Sequence, residues 1–310
     1  MSSVLIKICG YLVIIALGYL LRELKLFRKE DAKLLGTLII SVTLPGALIR
    51  NSGAIVIGPE FPLLFTFGII ASIVTLAAGF LLAGRKREPR TSAFMLTVST
   101  FNLGAFLLPF VELFFPGTGV GYLCMFDSAN SVMGLGVSYA LAKAASSPQE
   151  PLTLKSVFKT LVHSIPFMTY VFLFVLAACH LRLPDVVLEY AGTIGNANAF
   201  LTMFMIGLLI EFRLPKQEIK EIIQVCLTRW IVVACLGICV FILPDVDPLL
   251  KTITILCLFA PVAAAAVPYS ISCGYQGDLV GMVSTITMAF SVVSILLIVS
   301  FAAHLGLTVL

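Results

Sequence analysis

The sequence predicts an all-α integral membrane protein, with ten transmembrane helices in two inverted five-helix repeats and helices 4 and 9 broken and crossed. Three observations predict it. Of the 310 residues, 60% are hydrophobic and 12% charged, with a mean hydropathy of +1.09, against roughly 25% charged in an ordinary soluble domain. The apolar residues gather into runs of about 18 to 25, enough for a helix to cross a hydrocarbon core of roughly 30 Å. Two of these runs carry prolines at matching positions, and the short alternating segments of a barrel are missing.

Span 1 (4–21) holds one early lysine, Lys7, and ends in LRELKLFRKED with no small-residue cleavage site. It reads as a retained span rather than a signal peptide. Span 2 (31–50) contains Thr43 and Pro45, which mark a kink, and span 3 is 61–83. Span 4 (91–112) contains FNLGAFLLPF, placing Asn102, Gly104 and Pro109 in a stretch otherwise suited to lipid. Pro109 lacks an N–H and deprives the Ala105 carbonyl of its helical partner. At membrane depth such a group is tolerated only beside protein or a watery cavity.

Span 5 (118–142) contains FDSAN, with Asp127, Ser128 and Asn130. Helical rise puts Asn102, Asp127 and Asn130 about 14 to 18 Å from a membrane face, close to the midplane. An acid at that depth is a functional hypothesis by default. Either Asp127 carries a coupling proton, or it is neutral or hydrogen-bonded for helix packing.

Span 6 is 157–179, and span 7 (186–211) brings Asn196 and Asn198, residues suited to joining helices. Span 8 (220–243) encloses Arg229, which can grip a substrate carboxylate, pair with an acid or snorkel toward the cytoplasm. In span 9 (249–274), Pro261-x6-Pro268 lies under Asn102-x6-Pro109 of span 4. Its prolines free the carbonyls of Cys257 and Ala264, and Tyr269 and Ser270 follow as hydrogen-bond donors. Half-helix N-termini at such breaks attract anions. Span 10 (279–305) offers hydroxyl oxygens at Ser284, Thr285 and Thr287. Glu112, Glu211 and Asp278 fall at span ends as solvated groups. His163, His180 and His304 lack ligand spacing, and the eight cysteines read as free thiols packed as small hydrophobes.

Loop charge sets the orientation. Fifteen basic residues follow spans 1, 3, 5 and 7: Arg22, Lys25, Arg28, Lys29 and Lys33; Arg85, Lys86, Arg87 and Arg90; Lys143, Lys155 and Lys159; and Arg213, Lys216 and Lys220. Four, Lys7, Arg50, Arg182 and Lys251, lie on the other side. Both termini are thus expected on the non-cytoplasmic side of the cytoplasmic (inner) membrane. The net charge of +4 belongs to cytoplasmic loops and gives no nucleic-acid signal.

A faint internal echo, 24–49 over 181–206, joins the proline match in dividing the chain into repeats 1–145 and 146–310. An odd number of spans per half makes the repeats inverted, as in many secondary transporters. The expected function is alternating-access transport of a small organic anion, a carboxylate. Asn102, Gly104, Pro109, Asn130, Pro261, Pro268, Tyr269 and Ser270 are the binding candidates, and Asp127 and Thr287 the ion-coupling ones. The coupling ion is a proton or, alternatively, sodium; no cofactor is expected. Spans 4, 5, 9 and 10 would form a moving bundle against a support made of the others. A membrane sensor that binds the anion without moving it is the competing reading. No nucleophile with a base, metal cluster or phosphate loop marks an enzyme.

Over nearly its whole length the chain resembles a bacterial member of the auxin efflux carrier family, similar in fold to the plant auxin exporters and the bile-acid/sodium symporters. The residues carrying the resemblance are GYLLRELKLFRKEDAKLLGTLIISVTLPGALI, NLGAFLLP, FDSAN and APVAAAAVPYSISCGYQGD, in order across the ten spans. The resemblance implies spans 4 and 9 crossing at Asn102, Pro109, Pro261 and Pro268, transport of dicarboxylates or auxin-like aromatic acids, and a homodimer. Leu107 and Leu108, and the alanine run 263–266, depart from the family's usual pattern and make the expected cavity more apolar than a dicarboxylate prefers.

Overall fold

The computed structural model describes residues 2–84, 86–146, 158, 161–210 and 218–308. Arg85, Lys155, Lys159, Glu211, Arg213 and Lys216, used above for orientation and span ends, lie outside the described residues.

Among the described residues the apolar runs are helical except where they are interrupted, and there is no strand. In chain order these are α1 (Ser2–Glu23), α2 (Asp31–Leu38), π1 (Ile39–Thr43), α3 (Leu44–Arg50), α4 (Glu60–Leu82), α5 (Pro89–Ser99), π2 (Leu103–Leu107), α6 (Leu108–Phe114), α7 (Thr118–Ser131), π3 (Val132–Ser138) and α8 (Tyr139–Ser146). Then come α9 (Ile165–Ala178), α10 (Asp185–Gly195), α11 (Ala197–Leu209), α12 (Ile219–Phe241), α13 (Pro248–Leu258), α14 (Ala266–Ser272) and α15 (Leu279–His304). Five stretches of the described residues are long and apolar enough to cross a membrane: Asp31–Arg50, Glu60–Leu82, Asp185–Leu209, Ile219–Phe241 and Leu279–His304. A sixth is the pair Pro89–Ser99 and Leu103–Phe114, bent by 44°.

The prolines behave differently from expectation. Pro45 and Pro109 each stand second in a new helical turn, and each is preceded by five residues of π-helix. The wider turn moves donors one residue along, so that Leu44 N–H reaches the Ile39 carbonyl and Leu108 N–H the Leu103 carbonyl. Pro109 therefore does not break span 4, because the π-turn absorbs its missing donor; the break lies earlier, at 100–102. Pro268 does not break span 9 either. It sits in the first turn of α14, where an N–H has no intrahelical partner in any case, and the break is 259–265, with Pro261 inside it.

Packing sorts the helices into two bodies. In one, α1 runs along α11, α3 crosses α10, and α9 packs on α3. The α3–α10 crossing is close because both contact residues are glycines: a Cβ on Gly195 would come within 2.6 Å of the Ala47 nitrogen. Asn196 and Asn198 reinforce this body, accepting hydrogen bonds from Arg50 and, at 3.0 Å, from the Thr43 hydroxyl. In the other body, α4 packs on α5 and α7, and α12 packs on α4, α5, α13 and α15. All eight cysteines are free, and Cys124, Cys226, Cys257 and Cys273 are buried. Glu112 is half-buried and accepts a hydrogen bond from Asn51 at 2.5 Å, which corrects the expectation of a solvated span end.

Candidate functional site

The two breaks meet. Asn102 N–H donates to the Pro261 carbonyl at 2.9 Å, joining the interruption of span 4 to that of span 9 through their backbones. Other backbone groups exposed by the breaks also find partners. Val262 N–H donates to the Thr287 hydroxyl at 3.2 Å, and Ala263 N–H to the Thr100 hydroxyl at 3.4 Å. The Phe101 carbonyl accepts from the Asn130 amide at 3.1 Å.

Arg229 holds the carbonyl ends. Its guanidinium donates to the Thr97 and Val98 carbonyls of α5, at 2.9 and 2.8 Å, and to the Ala260 carbonyl of the second break at 2.9 Å. It lies 4.7 Å from the centre of the Phe101 ring and is 2% exposed. Helix C-termini carry partial negative charge, so one buried cation neutralises two of them. Arg229 thus neither grips a ligand, nor pairs with an acid, nor snorkels.

Beside the crossing lies a cavity of about 460 Å³. Of the predicted site residues, Asn102, Gly104, Asp127, Asn130 and Tyr269 line it, together with Ser41, Leu44, Thr100, Ser131 and Ala263–Ala265. It reaches the surface near His163, which is exposed. Pro109, Pro261, Pro268, Ser270 and Thr287 are outside its wall. Pro109 offers its carbonyl to the Tyr11 hydroxyl at 2.9 Å, and Ser270 bonds the Val267 carbonyl. Thr287 also donates to the Ser284 carbonyl at 3.0 Å, while Ser284 and Thr285 donate to carbonyls of Val280 and Leu209. A larger hollow, about 830 Å³, lies between 52–57 and 173–188, among residues that do not belong to either break.

Within the cavity wall, Asp127 is 5% exposed and receives hydrogen bonds from every partner it has. The donors are the Tyr170 hydroxyl at 2.6 Å, the Asn130 amide at 2.8 Å and the Gly104 backbone. Gly104 permits this approach, since a Cβ there would stand 3.2 Å from the carboxylate and 3.0 Å from Leu44. Both Asn130 N–H groups are thereby used, which fixes the orientation of its amide. The carboxamide of Asn102, a residue 8% exposed, has no hydrogen-bond partner among the described residues. It presents both a donor and an acceptor to the cavity. Tyr269 stacks on Tyr139 with ring centres 4.1 Å apart. Among the described residues, the wall contains neither lysine nor arginine.

Sequence reasoning missed Tyr170, Thr100 and the role of Arg229. A lone tyrosine in the middle of span 6 was the available signal, since a buried phenol needs a partner. All three π-helical segments reach this cavity, through Ile40 and Ser41, 103–105, and Gly134. π-Turns occur frequently at functional sites.

Among curated proteins none matches the chain. The profile of the family described as "Membrane transport protein" matches residues 3–303. With several apolar helices and two interrupted ones joined beside a cavity, this multi-pass membrane protein belongs to that family of auxin efflux carrier-like transporters rather than to an enzyme family.

Proposed function

We propose that the protein is a secondary active transporter that carries a small organic anion across the cytoplasmic membrane by alternating access, with Asp127 carrying a coupling proton. The observation that bears most weight is the unpartnered Asn102 carboxamide in a cavity where the two breaks join. A carboxylate placed there can accept from Asn102 and the Ser131 hydroxyl, and it lies near the first turn of π2. The second observation is asymmetry along the molecule. The cavity reaches the surface near His163, whereas beyond the crossing Phe106, Phe110, Phe114 and Phe115 are packed with at most 2% exposure. With loop charge setting the orientation, the open side is cytoplasmic and both termini lie outside.

The meeting of spans 4 and 9, and the packing of α3 on α10, support two inverted repeats, 1–145 and 146–310, since each pair holds corresponding spans of the two halves. The moving bundle extends beyond spans 4, 5, 9 and 10 to α4 and α12, because Arg229 on α12 is bonded to both breaks and α4 packs on α5 and α7. Spans 1, 2, 6 and 7 are the support, and a homodimer is the assembly we assign by resemblance. A wall with Asp127 and, among the described residues, no lysine or arginine disfavours a second negative charge on the ligand. The substrate class is therefore a monocarboxylate with an apolar body, ahead of a dicarboxylate.

Counterflow in proteoliposomes tests this, using radiolabelled monocarboxylates, dicarboxylates and indole acids under imposed proton or sodium gradients. Saturable exchange of a monocarboxylate driven by the proton gradient is expected. Asp127→Asn should abolish the gradient drive while exchange partly survives. Accumulation driven by sodium would move the coupling to that ion, and saturable binding with no exchange would make the protein a sensor.

A further inference from the structure

Side-chain hydrogen bonds between the two bodies are few among the described residues. Tyr11 bonds the Pro109 carbonyl and Asn51 bonds Glu112, both on the phenylalanine-packed side of the crossing. Thr285 reaches the Leu209 carbonyl at 3.4 Å. Another, Tyr170 to Asp127 at 2.6 Å, joins a buried donor to a buried, ionisable acceptor. Tyr170 rides on α9, which packs on α3 in the support, whereas Asp127 rides on α7, which packs on α4 and α13.

We propose that Tyr170 is a positioning residue whose hydroxyl latches the moving bundle to the support while Asp127 is ionised, and releases it when Asp127 takes up a proton. The inference rests on the proton-coupling role proposed for Asp127. A phenol donating to a carboxylate makes a charge-assisted bond, roughly twice as strong as the same bond to a neutral acid. A proton arriving from the cavity neutralises the carboxylate; Tyr170 stays protonated throughout, and no other bond is made or broken. The neighbouring titratable groups are the thiols of Cys124 on α7 and Cys257 on α13, with Asn130 and the Gly104 N–H as further donors to the carboxylate. His163 lines the cavity at its mouth. Among the described residues no arginine or lysine acts on Asp127, so its charge governs the latch.

The latch makes movement of the bundle depend on the charge of Asp127: the bond to the support is strongest while the carboxylate is ionised and weakens on proton loading.

The test needs no substrate. Hydrogen–deuterium exchange of residues 103–114 is followed by mass spectrometry on full-length protein in nanodiscs, near pH 5 and near pH 8, corrected for intrinsic exchange. Wild type should open this segment about fivefold more at the acid pH, as expected for weakening one charge-assisted bond. Tyr170→Phe and Asp127→Asn should both show the acid-level opening at both pH values. If Tyr170→Phe keeps the wild-type pH ratio while Asp127→Asn loses it, the latch is wrong and the proton site stands. If Asp127→Asn also keeps the ratio, the proton-coupling reading fails as well. Should Tyr170→Phe not fold, infrared difference spectra of wild type decide: a pH jump must shift a tyrosine C–O band together with the carboxylic C=O band, and an unmoved tyrosine band overturns the latch.

Discussion

At the first break residues 100–102 leave the helix; at the second the interruption runs from 259 to 265. The shorter one contains neither glycine nor proline, and all three of its residues are buried. Tertiary partners replace its helical bonds: Pro261 for the Asn102 N–H, Asn130 for the Phe101 carbonyl, Arg229 for the carbonyls just before it. The longer one contains Pro261, is partly exposed at Ala263–Ala265, and lends the cavity an alanine wall. The first break thus supplies polar side chains, and the second supplies backbone and space. The polar side chains that face the cavity thus lie mainly on one side of the crossing.

The strongest way to break this comparison is to remove what both breaks share. Arg229→Met leaves the Thr97, Val98 and Ala260 carbonyls without their buried donor. At about 1 to 3 kcal/mol for each buried acceptor left unsatisfied, a loss of several kcal/mol is expected, seen as a collapse of the thermal transition of the detergent-solubilised protein and little recovery by Arg229→Lys, which has no planar fork. A transition within a few degrees of wild type would mean that the crossing is held elsewhere.

Asn102→Ala sharpens the comparison by touching only the polar side. Because the backbone and not the carboxamide makes the bond to Pro261, stability should be unchanged while affinity for the proposed carboxylate substrate falls about tenfold or more, the value of a hydrogen bond to a charged group. Equilibrium binding and a melting curve on the same preparation separate the two effects. The smallest effect is expected at the second break. Thr287→Val removes the acceptor of Val262 N–H and should cost about 1 kcal/mol of stability, with anion affinity retained, measured by the same two assays.

Much of this arrangement was legible in the sequence because it follows from composition and local pattern. Runs of apolar residues gave the helices, and the misplaced polarity of Asn102, Asp127 and Asn130 singled out groups that do line one cavity. The positions of the breaks were not legible. Prolines drew the eye to Pro109 and Pro268, but a missing N–H is harmless in a first turn or beside a π-turn, whereas Thr100–Asn102 is interrupted by partners more than a hundred residues away. Arg229 was misjudged for the same reason: its acceptors are backbone carbonyls, which no side-chain pattern reveals.

The separation along the chain between Arg229 and the carbonyls it serves also bears on how the protein is made. The Thr97 carbonyl must wait for a residue 132 positions later. During synthesis the first half therefore enters the bilayer with the end of α5 unsealed, held by the insertion machinery or by water until span 8 arrives. A nascent chain halted before that point carries Asn102, Asp127 and Asn130 but neither the clamp nor the Ala263–Ala265 wall, which makes arrival of the second half the event that commits the first to its final shape.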